Sequence, residues 1–513
     1  MTDETATGAF RASVDPATFE VVKNSLYSAA EEMKIVLAKT AYSPLLKVAG
    51  DYSCGIFDAA GEMVAQGPDL PIHLGSMPDS VKAVRQAWPE PGPGDVFIHT
   101  DPYFGGSHLP DVNVVTPAFD AAGELLGFAC VRAHWPDIGG ATPGSYGAAT
   151  DIYGEGLRLP PVRLFIAGEI NADVDALIFA NVRTPEERRG DLRAQVAANR
   201  RGAERLSVLA RKYGSASLRR IMADIMDYSE LMMRRAIAKL ADGEGVFEEL
   251  MDGDGVADDE DGNDAPIRVK IRVVKRGPEL LVDFAGSDPQ SPGPMNAPLA
   301  VTASGVFTSV KMLADPGNVI PPNSGCWRPI TVLAPPGTVM HAMLPAPVVY
   351  ANHEVGHRAA DMFFAAMAQI APDSVMACSQ GTSAILTLGG IDYRNGRAYV
   401  SYETLKGGFG ARPTKDGING LASGIANTMN TPVEVLEMSF PVRVEAYELI
   451  PDSGGAGRWR GGLGTRRVTR VLGSDASASV CCERTLAAPF GLEGGHDGAP
   501  AEIVLVDPNG GHS

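Results

Sequence analysis

Histidine, cysteine and long apolar runs are all scarce in this sequence. Nine histidines and six cysteines are spread over 513 residues. The cysteines (Cys54, Cys130, Cys326, Cys378, Cys481 and Cys482) form no Cys-x-x-Cys pair, so they are expected as buried, reduced thiols rather than disulfides or metal ligands. No run of about 18 apolar residues exists, and no transmembrane helix is expected. The polar start MTDETATGAF lacks the apolar stretch of a secretory leader. Together these features fit a reducing, cytoplasmic setting. Basic residues are also in deficit: 44 Lys and Arg stand against 62 Asp and Glu, for a net charge of −18. With no basic cluster to offset it, that charge excludes nucleic acid and anionic membrane as expected partners. There is no G-x-x-x-x-G-K-[ST] phosphate loop, and no G-x-S-x-G elbow between a strand and a helix. Cys54 has no evident base beside it and reads as core packing.

What is present is a full hydrophobic complement of 45%, with 58 glycines and 38 prolines. That supports a large core with many turns, and the length implies two to four structural units. The pattern predicts a mixed α+β, multi-domain architecture. An α+β N-terminal domain with a metal-site hairpin is expected over 1–241, a β-rich middle domain over 242–345, a helix and glycine-rich loop region over 346–435, and a β-rich region over 436–513. Residues 15–42 read as a helix, with Asp15 as cap, Pro16 in the first turn and apolar residues at helical spacing. Residues 51–73 read as a hairpin, and 173–241 as helical with arginine-rich faces. Those arginines alternate with acids, which is the pattern of a solvated face or a subunit interface. The acidic stretch 251–264 lacks the spacing of a calcium loop and reads as a solvated turn. A period-two hairpin spans 267–286, helices are expected at 300–315 and 353–371, and strands at SFPVRVEAYELI, TRRVTRVL and AEIVLVD.

The chemistry concentrates in GGSHLPD and RAHWPD. Two apolar runs, 112–119 and 124–133, flank a turn at Asp120–Gly123 and form a hairpin. Pairing Phe119 with Glu124 brings His108 opposite His134 at the open end, within one residue of register. Asp111 stands beside them. Two imidazoles and one carboxylate are a ligand set for Zn²⁺, Mn²⁺ or Fe²⁺, and three protein ligands leave a position open for chemistry. HEVGH at 353–357 satisfies the H-E-x-x-H pattern of zinc peptidases, with Glu354 as base. It sits at a helix start, contains Gly356 and has no clear third ligand, which counts against a peptidase. GGFGARPTKDG at 407–417 reads as a tight loop rather than a nucleotide clamp.

The ordered series DPATFEVVKNSLYSAAEEM, GDYSCGIFDAAGEMVAQ, IHLGSMP, GDVFIHTDPYFGGSHLPDV, RAHWPDIGG, EGLRLPPV, GDLRAQVAA and GGFGARPTKDG resembles the hydantoinase B/oxoprolinase family from residue 15 to about 500. The resemblance implies a B-type subunit of an ATP-dependent enzyme. An A-type partner would bind ATP and Mg²⁺ and phosphorylate a carbonyl of a cyclic amide such as a hydantoin, 5-oxoproline or a lactam. This chain would then complete the hydrolysis within a hetero-oligomer. Relatives that carboxylate ketones such as acetone supply an alternative, and a scaffold subunit with a structural metal is a third. The resemblance maps a metal site onto His108, Asp111 and His134, with Asp51 completing it, and zinc or manganese is expected. His73 and Asp101 lie in neighbouring loops and are candidate proton carriers. Equally, Asp101-Pro102 can start a turn and His73 can orient a ligand. In the family pattern Asn352, Glu354 and Arg358 are the recurring positions of the HEVGH segment, so His353 and His357 are not expected to bind metal. Many relatives carry a glycine-rich tail of the GGGGYGDP kind, where this sequence reads DPNGGHS; assembly with the partner is the property that difference bears on.

Overall fold

A computed structural model describes residues 10–507, apart from 68, 74, 258–261, 263 and 474. The centre of the acidic turn and most of DPNGGHS lie outside the described residues.

The N-terminal part runs α1 (Pro16–Thr40), β1 (Tyr52–Asp58), β2 (Met63–Gln66), α2 (Met77–Ala87), β3 (Val96–His99), β4 (Asp111–Phe119), β5 (Leu125–His134), α3 (Ile152–Glu155), β6 (Val162–Ile166), β7 (Glu169–Ile170), α4 (Ala172–Ala180), α5 (Pro185–Tyr213) and α6 (Ser215–Ile237). Asp15 caps α1 by accepting from the Thr18 amide, as its sequence position predicts. The strands form one sheet in the order β2-β1-β5-β4-β3-β6-β7. Side chains of β5 alternate between its two faces: Ala129, Val131 and Ala133 join a core with α1 and α5, while Phe128 and Cys130 join the larger core opposite. Both faces are therefore covered, which explains the near-continuous apolar runs.

α5 crosses the β4–β5 hairpin closely. A Cβ on Gly202 would lie 2.9 Å from the Ala129 Cβ and 2.4 Å from the Met33 sulfur, so glycine is what lets the helix reach the sheet. Two buried amides on α5 fasten β4: Gln195 Nε2 donates to the Val112 carbonyl at 3.0 Å, and Asn199 Nδ2 to that of Val114 at 2.6 Å.

The rest of the chain adds β8 (Gly243–Met251), β9 (Ile267–Arg276), β10 (Glu279–Asp283), α7 (Leu299–Ala314), α8 (Ser324–Trp327), β11 (Ile330–Leu333), α9 (Gly356–Ala368), β12 (Ile385–Asp392), β13 (Arg397–Thr404), α10 (Val433–Ser439), β14 (Val442–Leu449), β15 (Thr465–Val471) and β16 (Ala476–Cys481). They form sheets of order β11-β10-β9-β8, β13-β12-β16 and β14-β15. α7 and α9 are helices where periodicity places them, although α9 begins with a π-type turn at Ala351–Val355.

Two expectations are corrected. Among the described residues AEIVLVD forms no extended strand: it makes one β-bridge at Val506, and Ile503, Val504, Leu505 and Val506 stay exposed; strand propensity alone does not make a ladder. The β4–β5 register also differs. A bulge between Ala118 and Phe119 pairs Phe119 with Leu125, not Glu124, and the shift carries Asp111, not His108, opposite His134. His108 comes instead from the turn before β4.

Candidate metal centre

The turn that carries His108 is built by glycine and a buried arginine. Gly105 adopts φ +85°, and a Cβ there would sit 2.4 Å from the Asp79 carbonyl oxygen. Arg132 is fully buried and has no carboxylate partner within ion-pair distance among the described residues. It donates instead to Asn113 Oδ1 at 2.8 Å and Ser80 Oγ at 2.6 Å, and its other donors face Ser76. Asn113 in turn donates to the Asp111 backbone carbonyl at 3.0 Å. This network fixes the start of β4.

Among the described residues, His108, Asp111 and His134 form a buried group whose ligand atoms lie within 4.8 Å of one another. His108 Nε2 is 3.3 Å from Asp111 Oδ1, and His134 Nδ1 is 3.4 Å from the same oxygen. Two ligands bound at about 2.0–2.1 Å in tetrahedral geometry are separated by about that much. His108 Nδ1 faces the Val349 carbonyl at 3.0 Å and donates to it. That bond assigns a proton to Nδ1, so that in the neutral imidazole the Nε2 lone pair faces a carboxylate oxygen. Among the described residues, His108 Nε2, Asp111 Oδ1 and His134 Nε2 are all buried without a hydrogen-bond partner. Two facing lone pairs repel unless a cation lies between them, so the donor set fits a divalent ion.

The carboxylate is oriented from several sides. Asn352 Nδ2 donates to Asp111 Oδ2 at 2.7 Å, the Ser107 hydroxyl donates to the same oxygen, and His73 Nε2 is 3.3 Å from it. His73 Nδ1 is held by the Ser53 hydroxyl at 2.9 Å. Burial would raise the Asp111 pKa, but the neighbouring imidazoles, His108 first and then His73, outweigh it and hold the carboxyl well below its ordinary range. Burial pushes His134 down to about 4 and lowers His73 as well, which keeps neutral imidazoles available as ligands.

Asp51 stands beside this group. Its backbone carbonyl accepts from the His134 amide at 3.0 Å. Burial and then the charge of Asp111 push its carboxyl up to about 7, against the opposing pull of His108 and Lys406. Lys406 is a buried ammonium that donates to Thr404 Oγ1 at 2.6 Å and Thr428 Oγ1 at 2.9 Å; burial brings it down to about 8.

Asp101 is not drawn into the group. Its carboxylate accepts from the Arg158 guanidinium at 2.8 Å and caps the short turn at Pro102–Phe104. It lines a cavity of about 430 Å³ with Arg158, Tyr153 and Asn181.

The two histidines of HEVGH diverge. His353 lies between Tyr146 and Tyr402, whose hydroxyls are each 2.8 Å from one of its ring nitrogens. Its ring packs 5.1 Å from that of His108 and 5.8 Å from that of His134. His357 instead contacts the hydroxyls of Ser383 and Ser423. Glu354 is buried and accepts from Thr382 Oγ1 at 2.9 Å. The segment thus walls the centre but does not form the two-histidine site of an H-E-x-x-H peptidase.

Sequence reasoning did not find Tyr146, Tyr402, Ser107 or Lys406. Tyr146, Tyr402 and Lys406 reach the centre from distant segments and carry no spacing signal, whereas Ser107 lies inside GGSHLPD beside His108.

Fold and site define an α+β protein with a buried group of two histidines and a carboxylate that could hold a metal ion. The chain belongs to the hydantoinase B/oxoprolinase family, whose profile matches residues 15–512. It is 37% identical over 498 residues to an uncharacterized protein of Methanocaldococcus jannaschii, covering 96% of this chain and 85% of that one. It is 36% identical over 463 residues to the caprolactamase subunit beta of Pseudomonas jessenii, covering 88% and 78%. The crystal structure of the ATP-dependent caprolactamase from that organism superposes with a TM-score of 0.82 at 35% identity, over 90% of this chain and 79% of that one. A nucleotide-free acetone carboxylase structure shares the fold alone, with a TM-score of 0.84 at 19% identity over 90% of this chain and 63% of that one. No helix among the described residues is long and apolar enough to cross a membrane.

Proposed function

We propose that this chain is the B-type subunit of an ATP-dependent amidohydrolase and carries out the hydrolytic half of the opening of a cyclic amide. The observation that carries the reading is the facing pair of His108 Nε2 and Asp111 Oδ1, buried and 3.3 Å apart with no hydrogen bond between them. Similarity above 30% to a caprolactamase subunit supports amide rather than ketone chemistry.

In this reading His108, Asp111 and His134 hold a divalent ion, zinc or manganese, and Asp51 completes the set. Such an ion supplies Lewis acidity and makes water nucleophilic at neutral pH. The remaining roles belong to the chain's own side chains. Asn352 and Ser107 hold Asp111 Oδ2 so that Oδ1 stays turned toward the imidazoles. His73, fixed by Ser53, carries protons on the far side of Asp111. Tyr146, His353 and Tyr402 close the pocket against bulk water. Asp101 orients Arg158 at the neighbouring cavity. An A-type partner binds ATP with Mg²⁺ and phosphorylates the amide carbonyl.

The test is to assay the complex with that partner, with ATP, against a panel of cyclic amides and ketones. ATP-dependent ring opening of hydantoins, 5-oxoproline or lactams is expected. Bicarbonate-dependent consumption of a ketone would establish the carboxylase reading instead.

A further inference from the structure

The arginine-rich face of α5 is unused by the proposed reaction. It borders a groove of about 620 Å³ formed with α4 and the β6–β7 hairpin. The floor is apolar: Phe165, Phe179, Leu192 and Val196, with Ile170 at the rim. Four guanidiniums line it, and they are not equivalent. Arg189 pairs with Asp175 and lies 3.9 Å over the Phe179 ring. Arg201 pairs with Glu32 at 2.7 Å and with Glu204 at 2.8 Å. Arg200 stacks over Phe165 at 5.2 Å and has no carboxylate partner among the described residues. Arg193 is exposed and likewise has none. Seven residues separate Arg193 from Arg200, so both lie on one face of α5, about 10 Å apart.

We propose that this groove docks an amphipathic helix of the A-type partner subunit, with an apolar stripe on the floor and two carboxylates, about two turns apart, on Arg193 and Arg200. The proposal rests on the reading that this chain works with such a partner. Charge complementarity selects the occupant. Two uncommitted cations flank an apolar strip on a chain whose net charge is −18. A second copy would bring the same −18 and be repelled over most of its surface. Ile170 is 49% exposed at the rim, while Phe179, Leu192 and Val196 form the buried bottom of the groove. Arginine and aromatic side chains around an apolar centre are the composition of interface hot spots, and an apolar strip along a helix is read by a helix laid into it.

The test measures binding of the separately purified A-type subunit to the full chain by calorimetry at fixed salt. Two variants are compared with wild type: Arg193→Glu/Arg200→Glu, and Ile170→Glu as an independent probe of the apolar rim. Metal content and thermal midpoint report on folding. Both variants are expected to keep the fold and bind at least tenfold more weakly, and Arg193→Lys/Arg200→Lys is expected to retain most of the affinity. Unchanged affinity in the folded variants overturns the groove while leaving the partnership intact. A wild-type homo-oligomer that Arg193→Glu/Arg200→Glu disperses assigns the groove to a second copy and overturns the proposal. A wild-type chain that binds no A-type subunit overturns the partnership itself and the groove with it.

Discussion

The lone pair that His108 Nε2 turns toward Asp111 is the sharpest residue-scale feature, because neither atom has a hydrogen-bond partner among the described residues. Removing one imidazole should therefore remove the ion. Elemental analysis of purified His134→Ala is expected to give well under one metal per chain, whereas His353→Ala/His357→Ala keeps its metal. Metal retained in the first and lost from the second would restore the peptidase reading of HEVGH. A second residue-scale expectation concerns Glu155, which accepts from the Val349 amide at 2.7 Å. Burial pushes its carboxyl up to about 8, against those amide hydrogen bonds. Between its unfolded value near 4.5 and about 8, the folded state holds a proton that the unfolded state has released. Stability from this group therefore falls as pH rises through that window, by up to about 1.4 kcal/mol per pH unit. Urea midpoints of wild type and Glu155→Gln at pH 5.5 and 7.5 check it: the wild type should lose more stability than the variant over that interval, and equal losses would refute the assignment.

At the scale of elements, the hairpin was legible because its apolar runs and turn were unambiguous, and α1 because its cap and periodicity agree. Register was not, because the bulge at Ala118–Phe119 leaves no mark in the apolar pattern. A two-residue shift from the expected register put Asp111 rather than His108 opposite His134, yet the candidate ligand set survived, since His108 reaches the same point from the preceding turn. The wall of the centre was illegible for another reason. Tyr146, His353 and Tyr402 come from three segments separated by up to about 250 residues, and only the tertiary fold brings their rings together. AEIVLVD shows the reverse error, in which propensity suggested a full strand where the chain makes a single β-bridge at Val506. The approach of α5 to the sheet makes its own prediction. Gly202→Leu must displace Ala129 or Met33, and overpacking of that kind costs about 1–3 kcal/mol. A denaturant midpoint unchanged from wild type would show that α5 has room the packing does not reveal.

At the scale of the whole molecule, the proposed function divides labour between two chains. The isolated chain, with net charge −18 and no phosphate loop in its sequence, is expected to show no micromolar binding of Mg-ATP by calorimetry. A tight nucleotide site on it would contradict the division directly. The central claim is that hydrolysis is completed at His108, Asp111 and His134 after the partner has spent ATP on the substrate. The most direct measurement is ring-opened product and phosphorylated substrate, followed together in a complex whose only change is Asp111→Asn. Phosphorylation that continues slowly while product formation is lost is the predicted result. Product formed at the wild-type rate by that complex would contradict the account.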